Sequence, residues 1–237
     1  MAIEAGTSTY YQAKRAIPQD GLIVCLDAGV KDSYNGVGTS WRNLSSGSYN
    51  SNLYNTPTFT REYGGAIDFN GTDENSRYTI TLPYALTVIT WARSNLSLWN
   101  DYTGLGSARF QNGFIIGNTA SSKATSWYIM DGQTSANYTF LGAYNGITNI
   151  LIPIMYHFST NGSNIHKFGI NTSITTSSTS ISRSESPTIS NTVNLGSDFA
   201  AGRYNNMKMY AHYLYNRQLS NNEIVQIYNS TRHRFGL

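Results

Sequence analysis

The chain has 237 residues, of which 40% are hydrophobic, 13% are aromatic and only 12% are charged. Chains that are disordered because of their composition are highly charged and poor in aromatic residues, so this form of disorder is excluded. The net charge of +3 arises from 16 basic and 13 acidic residues that form no dense run, which gives no support for nucleic-acid binding. A single cysteine, Cys25, excludes a disulfide within the chain.

The sequence shows no signal for export or for membrane insertion. Its first 20 residues lack the apolar stretch of a signal peptide, and no apolar run approaches the roughly 20 residues that cross a bilayer. We therefore expect a protein that is made in a cytoplasm, is not secreted by a signal peptide and does not insert into a membrane.

Residues 1–20 have no regular pattern and are predicted to form an N-terminal arm, with one folded domain over residues 21–237. Short apolar or alternating segments then recur between turn signals, as is typical of strands. These segments are 21–27, 66–69, 77–82, 86–92, 114–117, 126–130, 150–158, 165–170, 192–196 and 206–216. About a dozen such strands without alternating helices predict an all-β protein, an antiparallel two-sheet sandwich.

The last of these segments, residues 206–216, alternates along its length. The odd-numbered residues from Met207 to Tyr215 are expected on one face of the strand, and the opposite face carries Lys208 and His212. Because that second face contains a lysine, the pattern predicts a surface or interface position for His212.

One short C-terminal helix is predicted after this strand. Ser220 and Glu223 have the spacing of a capping box, in which each side chain satisfies a backbone N–H of the first helical turn. Ile224, Ile227 and Tyr228 then fall on one face, and the helix is expected to end near Arg232 and to cover one edge or end of the sandwich.

A Ser/Thr-rich segment interrupts the strand pattern at residues 171–191. It allows two interpretations, a flexible exposed loop or a bent strand pair. We expect an exposed hairpin or long loop.

Three segments together resemble a known domain family. Residues 21–29 (GLIVCLDAG), 66–73 (AIDFNGTD) and 215–224 (YNRQLSNNEI) are similar to the opening, a central turn and the closing strand and helix of laminin-G-like, concanavalin-A-like lectin-glucanase domains. The resemblance implies a jelly-roll sandwich. The opening and closing segments look like the version found in structural proteins of tailed bacteriophages.

That resemblance implies a non-enzymatic virion protein, a capsid decoration or tail-appendage protein that exposes a lectin-like domain. Its partners would be other virion proteins and copies of itself, as an oligomer, and its location the virion. The alternative is a carbohydrate-binding or receptor-binding module with host or environmental glycans as ligands. A divergent glycoside hydrolase is a third interpretation. Fold alone does not decide between them.

The sequence gives no catalytic residues. The paired carboxylates that glucanases of this fold carry on one strand do not occur as a motif, and no zinc or nucleotide motif is present. We therefore predict no enzymatic activity and no cofactor, with calcium as the one ion left open. Candidate ligands are Asp27, Asp68 and Asp73, to which Asn70 and Asp198 add oxygen atoms, although nothing in the spacing fixes their convergence. The simpler interpretation makes Asp27 and Asp73 turn-stabilising residues.

Tyrosine and asparagine residues supply the remaining candidates. Aromatic faces stack on sugar rings beside amide groups, and the same residue types build protein-contacting surfaces. The candidates for a glycan or partner surface are Tyr34, Trp99, Tyr102 and Tyr204.

Overall fold

The structure is a computed structural model that describes residues 17–95, 104–108, 112–118, 125–130, 138–144, 152–181, 183–198 and 203–237. Within these ranges two antiparallel β-sheets share a hydrophobic core, and a single α-helix follows the last strand. The predicted all-β sandwich with one short C-terminal helix is therefore confirmed. No helix among the described residues is long and apolar enough to cross a bilayer.

Eight described strands form sheet A, in the order β14-β13-β12-β7-β16-β5-β4, with β1 also paired to β16. Every pairing is antiparallel. The strands are β1 (Leu22–Asp27), β4 (Thr58–Thr60), β5 (Ala66–Asn70), β7 (Leu86–Ser94), β12 (Ile154–Thr160), β13 (His166–Ile170), β14 (Ser173–Ser177) and β16 (Asn206–Tyr215).

Sheet B also contains eight described strands, in the order β11-β10-β9-β8-β15-β6-β3-β2. They are β2 (Ser40–Trp41), β3 (Ser51–Tyr54), β6 (Asn75–Thr81), β8 (Gly104–Ala108), β9 (Phe114–Asn118), β10 (Thr125–Met130), β11 (Tyr138–Tyr144) and β15 (Ser190–Leu195). Alternate residues of both sheets meet in the inter-sheet core, whose largest fully buried rings belong to Trp41, Phe69, Phe114, Trp127, Tyr156 and Phe158. Burying a large apolar side chain contributes about 1.5–3 kcal/mol, so these rings form a main part of what holds the sheets together.

A β-bulge in β16 changes which face its residues occupy. Met209 pairs with Ala92 of β7 whereas Ala211 pairs with Trp91, so Tyr210 is the extra residue. Met207 and Met209 lie in the inter-sheet core, but Tyr213 lies on the outer face of sheet A. The single alternating face predicted for this segment is therefore wrong.

The same bulge overturns the prediction for His212, which is fully buried rather than on a surface. Its Nε2 lies 2.8 Å from the Tyr78 hydroxyl and its Nδ1 lies 3.0 Å from Thr90 Oγ1. Because β16 is a central strand with both faces covered, a polar residue on it is buried and needs partners.

Helix α1 (Asn221–Thr231) forms where the sequence predicts it, but it covers the outer face of sheet A rather than an edge or end of the sandwich. Ser220 and Glu223 form the capping box, and Ile224 and Ile227 are buried. The 3-10 helix Arg232–Phe235 follows directly.

Trp91 of β7 is the centre of this contact. Its ring stacks on Tyr228 at 5.8 Å between centroids and lies 4.4 Å from Phe235, while its Nε1 donates to Thr231 Oγ1 over 3.0 Å. The helix is therefore fixed by both packing and a buried hydrogen bond.

The Ser/Thr-rich segment begins as the second strand of a hairpin, β13–β14, and then continues without regular structure over the described residues from 178 to 189. Arg183 fixes this irregular part by donating to the carbonyls of Pro83, Tyr84, Asn112 and Gly113. Burial lowers the pKa of Arg183 to about 9. The predicted exposed hairpin or long loop is thus a hairpin followed by an anchored loop.

Most of the predicted N-terminal arm, residues 1–16, lies outside the described residues. Of the remainder, Ile17 is buried on the outer face of sheet A and Asp20 pairs with Arg217. The division between arm and domain stays a prediction.

Candidate functional site

An open cleft of about 560 Å³ lies between the loop after β1 and the chain that leaves β4. Its lining residues are Ala28, Gly29, Lys31, Tyr34, Asn35, Phe59, Arg61 and Gly64. The cleft combines aromatic rings, an amide and two basic side chains, which are groups that bind polar ligands with apolar faces.

Tyr34 and Phe59 form the aromatic floor of the cleft. Their ring centroids are 5.6 Å apart and their planes meet at 65°, the edge-to-face arrangement that aromatic pairs prefer. The Tyr34 ring is nearly buried and its hydroxyl donates to the carbonyl of Gly38 over 2.9 Å. Burial raises the pKa of Tyr34, so the phenol stays neutral at physiological pH.

Local turns after β1 place Tyr34 at this position. The backbone N–H groups of Ser33 and Tyr34 both donate to the carbonyl of Val30, and the Ser33 hydroxyl donates to the carbonyl of Arg42 while accepting from the backbone of Asp27. These hydrogen bonds connect the two ends of the loop between β1 and β2, so the ring of Tyr34 has little freedom to move.

Gly36 allows this loop to pack on Phe59. Its φ of +93° lies in the left-handed region that favours glycine. A Cβ at this position would lie 3.0 Å from Cδ1 of Phe59. The glycine is therefore required by both the backbone conformation and the close approach.

The polar groups of the cleft are exposed and available. Asn35 accepts a hydrogen bond from the backbone N–H of Val37 through Oδ1, which leaves its two amide N–H groups unused by any described residue. Lys31 and Arg61 form no ion pair or side-chain hydrogen bond within the described ranges.

The residues that the sequence offers as calcium ligands form hydrogen bonds with their own neighbours. Asp27 Oδ1 accepts from the backbone of Gly29 over 2.8 Å and from Arg234 Nη1 over 2.6 Å. Asp68 Oδ1 accepts from Asn95 over 2.6 Å.

Asp73 lies in the turn that follows β5. Its carboxylate accepts from the Asn70 amide over 2.9 Å, and Asn70 Oδ1 accepts from the backbone of Thr72. No group of three or more His, Cys, Asp or Glu side chains that could hold a metal ion occurs in the part of the chain that the structure describes. A calcium site on Asp27, Asp68 and Asp73 stays a prediction.

The four aromatic candidates are not all brought together. Tyr34 lines the cleft, whereas Tyr204 is partly buried in the loop before β16 and forms an isolated bridge with Ser197. Trp99 and Tyr102 lie outside the described residues.

Sequence reasoning missed Lys31, Phe59 and Arg61. Lys31 lies in a turn-rich segment after β1, and Phe59 and Arg61 belong to a short edge strand and its exit. No motif links residues 31–35 to residues 59–61, because the contact is made by the pairing of β4 with β5 and by the path of the β1–β2 loop.

Comparisons with known proteins establish the fold and no family. No known family model and no curated protein matches the chain. Among solved structures, it is similar to Trypanosoma rangeli sialidase, with a TM-score of 0.65 and 12% identity over 98% of this chain and 38% of that one. It is also similar to the binding domain of Botulinum Neurotoxin DC in complex with SialylT, with a TM-score of 0.64 and 15% identity over 90% of this chain and 52% of that one.

A mutant of HCR/D gives a TM-score of 0.68 at 14% identity, over 89% of this chain and 52% of that one. The chain therefore spans between about two-fifths and one half of these proteins. The resemblance to a lectin-like sandwich agrees with these neighbours, but they give no support to a virion role or a virion location, which stay predictions.

Proposed function

We propose that this chain is a carbohydrate-binding β-sandwich module, and that the cleft between Tyr34 and Arg61 is its binding site. The observation that carries the proposal is the pairing, in one open cleft, of an aromatic floor with an amide whose donors are unused. Sugar rings present an apolar face and a rim of hydroxyl groups, which these two features match. Neighbours of the same fold include a neurotoxin binding domain in complex with SialylT, which supports a sugar ligand.

The proposed module binds without cleaving. Glycoside hydrolysis in most families uses two carboxylates separated by about 5–9 Å. The described lining of the cleft offers cations, an amide and aromatic rings instead. Two carboxylates that adjoin lining residues in sequence, Asp27 and Glu62, are held in ion pairs with Arg234 and Arg93, and Asp32 beside Lys31 does not line the cleft.

Binding of the purified chain to a broad glycan array tests the proposal. Asn35→Ala should weaken binding about two- to tenfold, because a hydrogen bond to a ligand hydroxyl contributes roughly 0.5–1.5 kcal/mol. Asn222→Ala, on the exposed side of α1, is the matched control and should bind as the unchanged chain does. Absence of binding to every glycan, or equal binding by both variants, would contradict the assignment.

Hydrolysis is measured on the same glycans. Release of reducing ends by the chain, abolished by changing one carboxylate, would show that the module is an enzyme and would overturn the non-enzymatic part of the proposal.

The virion role rests on the sequence resemblance. Electron microscopy of particles from the source, showing the chain in many ordered copies, is the measurement that would establish it.

A further inference from the structure

We infer that the glycan bound in this cleft is acidic, with a carboxylate or sulfate group held between Lys31 and Arg61. This inference rests on the proposed function and adds the class of ligand to it. Both side chains are exposed, both line the cleft, and neither has a partner among the described residues.

Basic residues elsewhere in the described chain are mostly engaged. Ion pairs hold Arg93, Arg203, Lys208, Arg217 and Arg234. Arg42 is also exposed and without an ion pair to any described residue, but it lies outside the cleft, so the distinguishing feature of this site is that two such cations line one aromatic cleft.

The carboxylates beside the cleft do not neutralise it. Glu62 follows Arg61 in sequence, but its two oxygens lie 2.7 Å from Arg93 and 2.6 Å from Lys208. Asp27 is paired with Arg234 over 2.6 Å. The described lining of the cleft contains the two cations Lys31 and Arg61 and no carboxylate, and the exposed Asp32 beside Lys31 is not part of that lining. The lining is therefore positive, and a positive concave surface attracts anions.

Both cations of the lining can hold an anionic group on a sugar. Arg61 offers a planar guanidinium that can bind a carboxylate or sulfate through two parallel hydrogen bonds, and Lys31 adds a point charge. Asn35 and the partly exposed ring of Phe59 supply the contacts to the rest of the sugar. The anionic group and the sugar ring are thus recognised by different residues, so each kind of contact can be removed by its own substitution.

Calorimetric titration of the full chain with matched oligosaccharides tests the inference. The probes are a galacturonic acid oligomer, a neutral galactose oligomer of equal length and its sulfated form. The acidic members should bind at least tenfold more tightly than the neutral one, because a hydrogen bond to a charged group contributes about one factor of ten or more. Their affinity should fall with added salt, as expected for exposed charges. Tighter binding of the galacturonic acid oligomer would identify the anionic group as a carboxylate, and tighter binding of the sulfated oligomer would identify it as a sulfate.

Three variants locate the effect. Lys31→Gln and Arg61→Gln should each weaken acidic binding about tenfold and so reduce the ratio of acidic to neutral affinity, whereas Arg61→Lys should lose less acidic binding than Arg61→Gln. Arg42→Gln, an exposed arginine that does not line the cleft, is the control.

The outcomes separate the two proposals. Equal binding of neutral and acidic oligomers overturns the acidic ligand and keeps the sugar-binding module. Binding to polyglutamate as strong as to the acidic sugars overturns the inference in favour of general anion attraction. No binding to any oligosaccharide overturns both.

Discussion

Arg234 Nη1 donates to Asp27 Oδ1 over 2.6 Å and so joins the last 3-10 helix to the end of β1. The same guanidinium donates to the backbone carbonyls of Tyr63 and Gly65, the latter over 2.6 Å. Its Nη2 also lies too close to Gly29, a lining residue of the cleft, for a Cβ to fit there. One side chain therefore fixes three segments that are far apart in sequence.

Replacing this side chain should destabilise the whole sandwich. Arg234→Lys keeps the charge but cannot reach three acceptors, so the free energy of unfolding should fall by about 2 kcal/mol. Urea unfolding measures it. Arg42→Lys, at an exposed position, should change stability by less than about 0.5 kcal/mol. Equal effects of the two changes would show that the contacts of Arg234 contribute little.

The hydrogen bond between Trp91 and Thr231 should contribute measurably to docking of α1. Thr231→Val preserves shape but leaves the buried indole N–H without an acceptor, which should cost about 1–3 kcal/mol. Chemical denaturation followed by tryptophan fluorescence reports the loss. Thr176→Val, on an exposed edge strand, should be nearly neutral; a similar loss there would contradict the explanation.

His157 and His212, two of the three histidines buried among the described residues, should make the fold sensitive to acid. Burial lowers the pKa of His157 to about 4 and that of His212 to about 3, below the ordinary value near 6.5. Below pH 6.5 the unfolded chain takes up protons that the folded chain does not, so stability is fully present above pH 6.5 and declines as the pH falls towards 4. Each histidine should contribute a slope of about 1.4 kcal/mol per pH unit in that window.

A variant isolates this effect from the titration of carboxylates. In urea unfolding, the free energy of unfolding of His212→Gln should depend less steeply on pH, by the contribution of one histidine, because glutamine does not titrate. The variant should still fold, since glutamine can donate and accept between Tyr78 and Thr90. An unchanged slope between about pH 6 and 4 would mean that His212 is not neutral in the folded state.

Gly36 offers a test of the cleft floor. Gly36→Ala introduces strain at a φ of +93° and a methyl group 3.0 Å from Phe59, so both stability and glycan binding should decrease. Gly38→Ala has comparable strain at a φ of +84° but would meet no atom within 4 Å. The excess loss of binding in Gly36→Ala over Gly38→Ala, measured by titration with the best array ligand, reports the contact with Phe59. Identical losses would assign the effect to the backbone alone.

Features specified by neighbouring residues could be predicted from the sequence. The capping box of Ser220 and Glu223 and the buried face of Ile224 and Ile227 depend on spacing within a few positions, and the structure contains all of them. Strand periodicity likewise indicated the sandwich.

Features that depend on distant pairing could not be predicted. The bulge at Tyr210 arises from the register of β16 against β7, and it moved His212 into the core. The cleft is similarly assembled from two separate segments, so its basic residues Lys31 and Arg61 carried no local signal.

Strand β16 lies between partners that are all synthesised earlier, since β1 and β5 adjoin one side of it and β7 the other. On the ribosome these three segments emerge long before their shared neighbour, and non-local pairing of this kind forms slowly. Nascent chains that have not reached residues 206–215 therefore carry open strand edges, which are the surfaces on which chains associate, until β16 has been synthesised and paired.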